Sequence, residues 1–146
     1  MNRLSGEWDE STRWLVKERS GERPAVRPLR VLLVDDDALV RNALSRMLTS
    51  VGIQVHAVRN GAEAREAFGK SPPFPFDLLV ADRSLAGEDG RVVAASLSQL
   101  DPALKVIHVT GHGLAAGERA SETECHLGKP FRLEELLGVI SKLCEM

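Results

Sequence analysis

Short aliphatic segments alternate with amphipathic helical patterns from residue 29 to the end of the chain. The aliphatic segments are rich in Val, Leu and Ile and are bounded by Gly, Pro or Asp, which is typical of parallel strands buried on both faces. Segments of this form occupy 29–34, 53–58, 77–81, 105–109 and 125–128. Strands and helices in this alternation predict an α/β fold, in which helices cover both faces of a five-stranded, doubly wound parallel sheet.

The predicted helices follow from apolar residues at helical spacing. In the first, residues from Val40 to Val51 recur at intervals of three and four, and Gly52 follows as a C-terminal stop. Further helices are predicted at 61–70, 89–100 and 132–145. Segment 113–124 has weak apolar periodicity and two glycines, so we expect a weak or shortened fourth helix between the fourth and fifth strands.

Composition narrows the class of protein. The chain has 146 residues, of which 43% are hydrophobic, enough for one domain with a real core, and its net charge of −2 does not favour nucleic acid as a partner. No apolar run approaches the roughly 20 residues that span a bilayer. The N-terminus has no apolar signal core, so we expect a cytoplasmic protein without a membrane partner. The cysteines, Cys125 and Cys144, form neither a disulfide framework nor a metal cluster.

Residues 1–27 do not share the alternating pattern, which divides the chain into an N-terminal arm and a domain at 28–146. Leu4, Trp8 and Leu15 lie on one helical stripe of the arm. Two interpretations stay open: a flexible arm, or an amphipathic helix that docks on the domain or on a second copy of the chain.

Polar residues follow four of the predicted strands at the point where each strand ends. They are Asp35, Asp36 and Asp37 after the first strand, Asp82 after the third, Thr110 after the fourth and Lys129 after the fifth. Parallel strands end at one edge of a sheet, so these side chains are expected to converge there. Clustered carboxylates favour a hard cation such as Mg²⁺, and the hydroxyl and ammonium are donors for an anion beside it. These are the parts needed for phosphoryl transfer to an aspartate, with Asp37 better explained as the cap of the first helix.

Four stretches together carry a family resemblance: 31-VLLVDDDALVR-41, 77-DLLVADRSLAGEDG-90, 106-VIHVTG-111 and 128-GKPF-131. With these motifs the chain from about residue 28 to 146 resembles the receiver domain of a two-component response regulator, of the CheY-like, flavodoxin-like family. The resemblance implies strand order 2-1-3-4-5 and a signalling module rather than a turnover enzyme. It also implies a sensor histidine kinase or a phosphotransfer protein as the partner.

The resemblance further implies a role for each site residue. Asp82 would accept the phosphoryl group, and Mg²⁺ would be held by Asp82, Asp35 and Asp36 with the backbone carbonyl of Ser84, Asp36 being a direct ligand and Asp35 acting partly through water. Thr110 and Lys129 would contact phosphoryl oxygens. A cis peptide bond is expected between Lys129 and Pro130.

Several positions depart from the common family pattern. Arg83 follows the acceptor, where an apolar residue is common, and the usual proline before Gly87 is absent. The position of the switch aromatic, three residues before Lys129, holds His126, and the chain has no tyrosine. His126 is therefore a candidate switch residue, but it is also compatible with a buried neutral ring or a surface position.

The residues are compatible with three functions. The first is a phosphoacceptor switch or phosphorelay module. We expect it to have no DNA-binding output domain, because no segment long enough for one follows the receiver pattern. A homodimer would form through the arm or through the face of the fourth and fifth strands. The second is a pseudo-receiver scaffold that takes no phosphate. The third is a haloacid-dehalogenase-like phosphatase, in which Asp35 is the nucleophile and Asp37 the acid/base.

Overall fold

The structure is a computed structural model that describes residues 28–69, 76–85, 87–111, 118–119 and 121–144. The N-terminal arm predicted at 1–27 lies outside the described residues, so its two interpretations stay predictions. No helix among the described segments is long and apolar enough to cross a membrane.

The described chain forms four helices and a main sheet of six strands. The strands of that sheet are β1 (Arg30–Val34), β2 (Gln54–Val58), β3 (Leu78–Asp82), β6 (Lys105–Thr110), β7 (Glu118–Arg119) and β8 (Glu124–Gly128). A separate hairpin is made by β4 (Ser84–Leu85) and β5 (Glu88–Asp89). The helices are α1 (Ala38–Thr49), α2 (Gly61–Gly69), α3 (Gly90–Leu100) and α4 (Leu133–Cys144).

The order of strands in the main sheet is β2-β1-β3-β6-β8-β7. The first five of these strands are parallel. Read across the sheet, they are the second, first, third, fourth and fifth parallel strands of the sequence. This confirms the predicted doubly wound fold and its strand order. The carboxyl ends of β1, β3, β6 and β8 therefore share one edge of the sheet.

Alternate residues of the central strands bury into two different layers, which explains their uninterrupted aliphatic sequences. Val31 and Leu33 of β1 pack in one cluster with residues of α1 and α4. Leu32 and Val34 pack in the other cluster with residues of α2 and α3. Each buried aliphatic side chain contributes about 1.5–3 kcal/mol of transfer free energy, so the strands are held from both faces.

The segment between β6 and β8 differs from a regular helical crossover. Glu118 and Arg119 form β7, which pairs antiparallel with His126 and Cys125 of β8 at the edge of the sheet. Residues 112–117, where a shortened fourth helix was expected, lie outside the described residues. The described part of the segment, 118–119 and 121–123, contains a two-residue strand and a bend but no helix, in agreement with its weak helical periodicity.

The segment between β3 and α3 folds back as the β4–β5 hairpin. Gly87 lies in its turn with φ of 81°, a conformation that residues with a Cβ rarely adopt. Leu85 of this hairpin is buried in the layer of α2 and α3. The hairpin thus connects the end of β3, where Asp82 lies, to the adjacent helical layer.

Candidate metal and phosphoacceptor site

Three carboxylates converge at the carboxyl edge of the sheet. Asp35 follows β1, Asp36 follows it, and Asp82 is the last residue of β3. One oxygen atom from each of the three lies within 4.8 Å of the others. Asp35 and Asp82 are buried, with 1% and 8% of their surface exposed, whereas Asp36 is exposed. The set is therefore open to solvent at Asp36, and its all-oxygen composition fits Mg²⁺.

Lys129 brings a positive charge to this cluster from the loop after β8. Its Nζ lies 3.3 Å from Oδ2 of Asp82 and 3.7 Å from Oδ2 of Asp35. The backbone N–H of Lys129 donates to the carbonyl of Thr110 at 2.8 Å, which ties the loop to the end of β6. The peptide bond between Lys129 and Pro130 is cis, as predicted.

The pKa of Asp35 is raised above its ordinary value, chiefly because burial penalises the charged carboxylate. The negative charges of Asp82 and Asp36 raise it further. The backbone N–H of Asp37, which donates to Oδ1 of Asp35 at 2.9 Å, and the charge of Lys129 act in the opposite direction. A bound cation would supply the positive charge that this carboxylate pair needs.

Asp82 is held by groups on both sides of its carboxylate. Its Oδ1 accepts a hydrogen bond from the backbone N–H of Ser84 at 3.0 Å, and its Oδ2 faces Lys129. The backbone of Asp82 lies directly against Gly90, where an added Cβ would collide with the carbonyl oxygen of Asp82. The N–H of Gly90 donates to the carbonyl of Arg83 at 3.0 Å, so only a glycine allows this close approach.

Thr110 ends β6, the strand next to β3, and is 5% exposed. Its Oγ1 is buried and has no hydrogen-bond partner among the described residues. A buried hydroxyl without a partner costs about 1–3 kcal/mol, which a ligand oxygen can offset. An unsatisfied donor at this strand end fits the binding of an anion beside the carboxylates.

The structure brings together the predicted metal residues Asp35, Asp36 and Asp82 with Lys129, and it places Ser84 directly beside Asp82. Asp37 stands apart as the cap of α1, since its carboxylate accepts hydrogen bonds from Leu39 N at 2.9 Å and Val40 N at 3.4 Å. It has no place in the carboxylate cluster.

Three contacts near these strand ends were not anticipated from the sequence. Nη1 of Arg41 donates to the backbone carbonyl of Asp35 at 2.8 Å, which fixes the chain at the start of the aspartate run. The His126 ring stacks on the ring of His108 in β6, with centroids 5.1 Å apart, and Nε2 of His108 lies 3.0 Å from Oε1 of Glu124. The pairing of β6 with β8 places the two histidines opposite each other. The sequence contains no pattern from which this pairing register could be predicted.

Comparison with known proteins identifies the family. The family model of the response regulator receiver domain matches residues 31–141. The chain belongs to the response-regulator receiver family. Phosphorylation on aspartate and Mg²⁺ are general for receiver domains, which histidine kinases phosphorylate, and receivers are signalling modules rather than classical enzymes.

Curated relatives of this receiver differ in how much of their length it spans. It is 33% identical over 117 residues to the response regulator receiver protein CpdR of Brucella abortus, covering 78% of this chain and 95% of that protein. It is 33% identical over 115 residues to the DNA-binding transcriptional regulator NtrC of Escherichia coli, covering 77% of this chain. The receiver spans 24% of the length of NtrC.

Solved structures of receivers share the fold. A response regulator receiver protein from Sinorhizobium medicae matches with a TM-score of 0.68 and 29% identity, covering 80% of this chain and 94% of that one. The response regulator TrrA from Thermotoga maritima, solved in complex with Mg²⁺-BeF, matches with a TM-score of 0.66 and 27% identity, covering 79% of this chain and 98% of that one.

Proposed function

We propose that this receiver accepts a phosphoryl group onto Asp82 from the phosphohistidine of a sensor histidine kinase or a phosphotransfer protein, and that it acts as a signalling switch or relay module. One observation carries the assignment to this aspartate. Among the residues that the structure describes, Asp82 alone lies between the Ser84 N–H and the Lys129 ammonium while also sharing the carboxylate cluster with Asp35 and Asp36.

The reaction would proceed by attack of an Asp82 carboxylate oxygen on phosphorus. An oxygen–phosphorus bond forms, the nitrogen–phosphorus bond of the phosphohistidine breaks, and its electron pair returns to the imidazole nitrogen. The Lys129 ammonium offsets charge on the transferred phosphoryl oxygens, and the Oγ1 hydroxyl of Thr110 donates to another of them. Thr110 ends β6 and Lys129 follows β8, and the Lys129 ammonium already lies 3.3 Å from the Asp82 carboxylate.

Asp35, Asp36 and Asp82 would hold Mg²⁺, together with the backbone carbonyl of Ser84. When bound, the ion supplies positive charge that reduces the repulsion between the carboxylates and the incoming phosphoryl group. The raised pKa of Asp35 supports this assignment, because a cation relieves the burial and repulsion that cause it.

We assign the receiver to residues 28–146, with residues 1–27 as an arm that could support a homodimer, and we place it in the cytoplasm, the usual location of such proteins. His126 is a candidate for the switch that reports phosphorylation to the face of β6 and β8. Its stacking on His108 supports that role, because a shift of either strand end would disturb the paired rings.

The test is incubation of the full chain with acetyl phosphate and Mg²⁺, followed by intact-mass measurement. A single phosphoryl adduct is expected for the wild type and for Asp37→Asn, because asparagine also caps a helix. The adduct should be absent in Asp82→Asn. An adduct that survives Asp82→Asn and disappears in Asp35→Asn would instead support the phosphatase-like nucleophile.

The scaffold alternative has its own outcome. If neither acetyl phosphate nor phosphoramidate, with Mg²⁺ present, produces an adduct on the folded wild-type chain, the proposed phosphoacceptor function fails. The same sample should then be checked by circular dichroism for native secondary structure.

A further inference from the structure

The β4–β5 hairpin carries Ser84 and lies between the acceptor Asp82 and α3. Its register pairs Ser84 with Asp89 and Leu85 with Glu88. One end of the hairpin is fixed at the site, because Ser84 N–H donates to Asp82 and Gly90 N–H donates to Arg83. Any displacement of β5 would therefore move Ser84 relative to Asp82.

Besides the buried Leu85 side chain, the hairpin is held by the carboxylate of Glu88, which reaches out of β5 toward α2 and α3. Nη2 of Arg65, on α2, lies 2.5 Å from Oε2 of Glu88, and Nη1 lies 3.4 Å from Oε1. Nε of the same guanidinium donates to Oγ of Ser96 on α3 at 3.3 Å. Arg65 thus connects the hairpin to both helices of that layer.

Gly61, the first residue of α2, makes room for this carboxylate. A Cβ added at Gly61 would overlap Oε1 of Glu88 and would lie 2.9 Å from Cγ2 of Val93. The overlapping atom is the end of a flexible side chain, so a methyl group there would displace the carboxylate, and it would also press on the buried Val93 side chain. At Gly69, the last residue of the same helix, an added Cβ would have none of the described residues within 4 Å.

Stabilisation of the fold does not by itself explain this arrangement. The side chains of Arg65 and Glu88 are 39% and 28% exposed, and ion pairs with such access to solvent contribute little to the free energy of unfolding. The two residues are 23 positions apart in the sequence. Their contact connects α2 to Glu88, which pairs in the hairpin with Leu85, the residue that follows Ser84.

We propose that Arg65 and Glu88 are positioning residues of the Asp82 site, which hold the β4–β5 hairpin so that the Ser84 N–H and carbonyl face the acceptor and its metal. This inference rests on the proposed function, in which the Ser84 carbonyl is a ligand of Mg²⁺. Groups that orient a metal ligand alter metal affinity without touching the metal. The space left by the missing side chain of Gly61 determines where the Glu88 carboxylate can lie.

The experiment measures Mg²⁺ binding to the full chain by isothermal titration calorimetry. Glu88→Gln weakens the ion pair, and Gly61→Ala displaces the same carboxylate without changing any charge. Both variants are expected to bind Mg²⁺ about tenfold more weakly than the wild type, as is found when an outer ligand partner is lost. Glu63→Gln weakens the exposed ion pair that Glu63, on the same helix, makes with Arg59 just before that helix, and Gly69→Ala adds a methyl group that meets none of the described residues, so both controls should bind as the wild type does.

A second readout separates positioning from general destabilisation. With acetyl phosphate as donor, Glu88→Gln and Gly61→Ala should need more Mg²⁺ for half-maximal phosphorylation, yet reach the wild-type rate at saturating Mg²⁺. The exchanged pair, Arg65→Glu with Glu88→Arg, should recover affinity toward the wild-type value.

Wild-type Mg²⁺ affinity in both Glu88→Gln and Gly61→Ala would overturn the positioning role, while an adduct on Asp82 of the wild type would leave the proposed function standing. No adduct on the wild type would mean failure of the proposed function itself. If Gly61→Ala lost its native circular dichroism, the titration of Glu88→Gln would decide the matter, since that substitution is isosteric.

Discussion

Nζ of Lys129 lies 3.3 Å from Oδ2 of Asp82 and thereby joins the loop after β8 to the last residue of β3. The same ammonium is 3.7 Å from Asp35, so one cation faces two buried carboxylates. The contact with Asp82 connects residues 47 positions apart, and the two contacts together explain how negative charge is tolerated where two core strands end.

Replacing Lys129 with methionine should destabilise the metal-free protein by about 1–3 kcal/mol, because two buried carboxylates lose their cation. Added Mg²⁺ should restore much of that stability, since it supplies charge at the same place. Urea denaturation in EDTA and in Mg²⁺ measures both values. Lys142→Met, in the exposed last turn of α4, is the matched control, and equal losses in the two variants would contradict the prediction.

Asp35→Asn should raise the melting temperature of the metal-free protein at neutral pH. The folded-state pKa of Asp35 is raised, so the native state binds this proton more tightly than the unfolded state does. Stability from this group is therefore greatest at low pH and is lost as pH rises from the ordinary pKa of an aspartate through the raised pKa of Asp35 in the folded protein.

The measurement for Asp35→Asn is thermal denaturation in EDTA from about pH 4 to pH 7. The advantage of the variant over the wild type should grow with pH, and Mg²⁺ should stabilise the variant less than the wild type. A constant difference across this range would show that ionisation of Asp35 does not oppose folding.

Thr110→Val should lower the rate of phosphorylation without lowering stability. The substitution removes a buried hydroxyl that has no partner among the described residues and keeps the side-chain shape, so stability should be unchanged or higher by about 1 kcal/mol. Intact-mass kinetics with acetyl phosphate and thermal denaturation measure the two effects. Thr49→Val, at the exposed end of α1, should leave the rate unchanged; a normal rate in Thr110→Val would remove Thr110 from the site.

Gly90→Ala and Gly138→Ala should change stability in opposite directions. A methyl group at Gly90 meets the backbone carbonyl of Asp82, so the variant should lose about 1–3 kcal/mol and bind Mg²⁺ more weakly. At Gly138, within α4, the methyl group has open space, and alanine should add up to about 1 kcal/mol through helix propensity. Chemical denaturation of both variants checks the signs, and a stable Gly90→Ala would show that the loop relaxes away from Asp82.

Much of the fold could be predicted because the central strands are buried on both faces. That burial leaves continuous aliphatic segments such as Val31–Val34 in the sequence, and a polar residue directly after such a segment must lie at the sheet edge. Asp35, Asp82 and Lys129 were found this way, and the family resemblance supplied their roles. The switch role of His126 stays a prediction, since its partner His108 was visible only once β6 and β8 were paired.

The sequence by itself determined the doubly wound sheet and the residues at its carboxyl edge through local periodicity, and it determined the strand order through the family resemblance that its short motifs carry. Only the tertiary structure decided the β4–β5 hairpin, the edge strand β7, and the contact of Arg65 with Glu88. Those features depend on atoms from segments far apart in the chain. Their positions are set by packing between layers, which no local pattern of residues records.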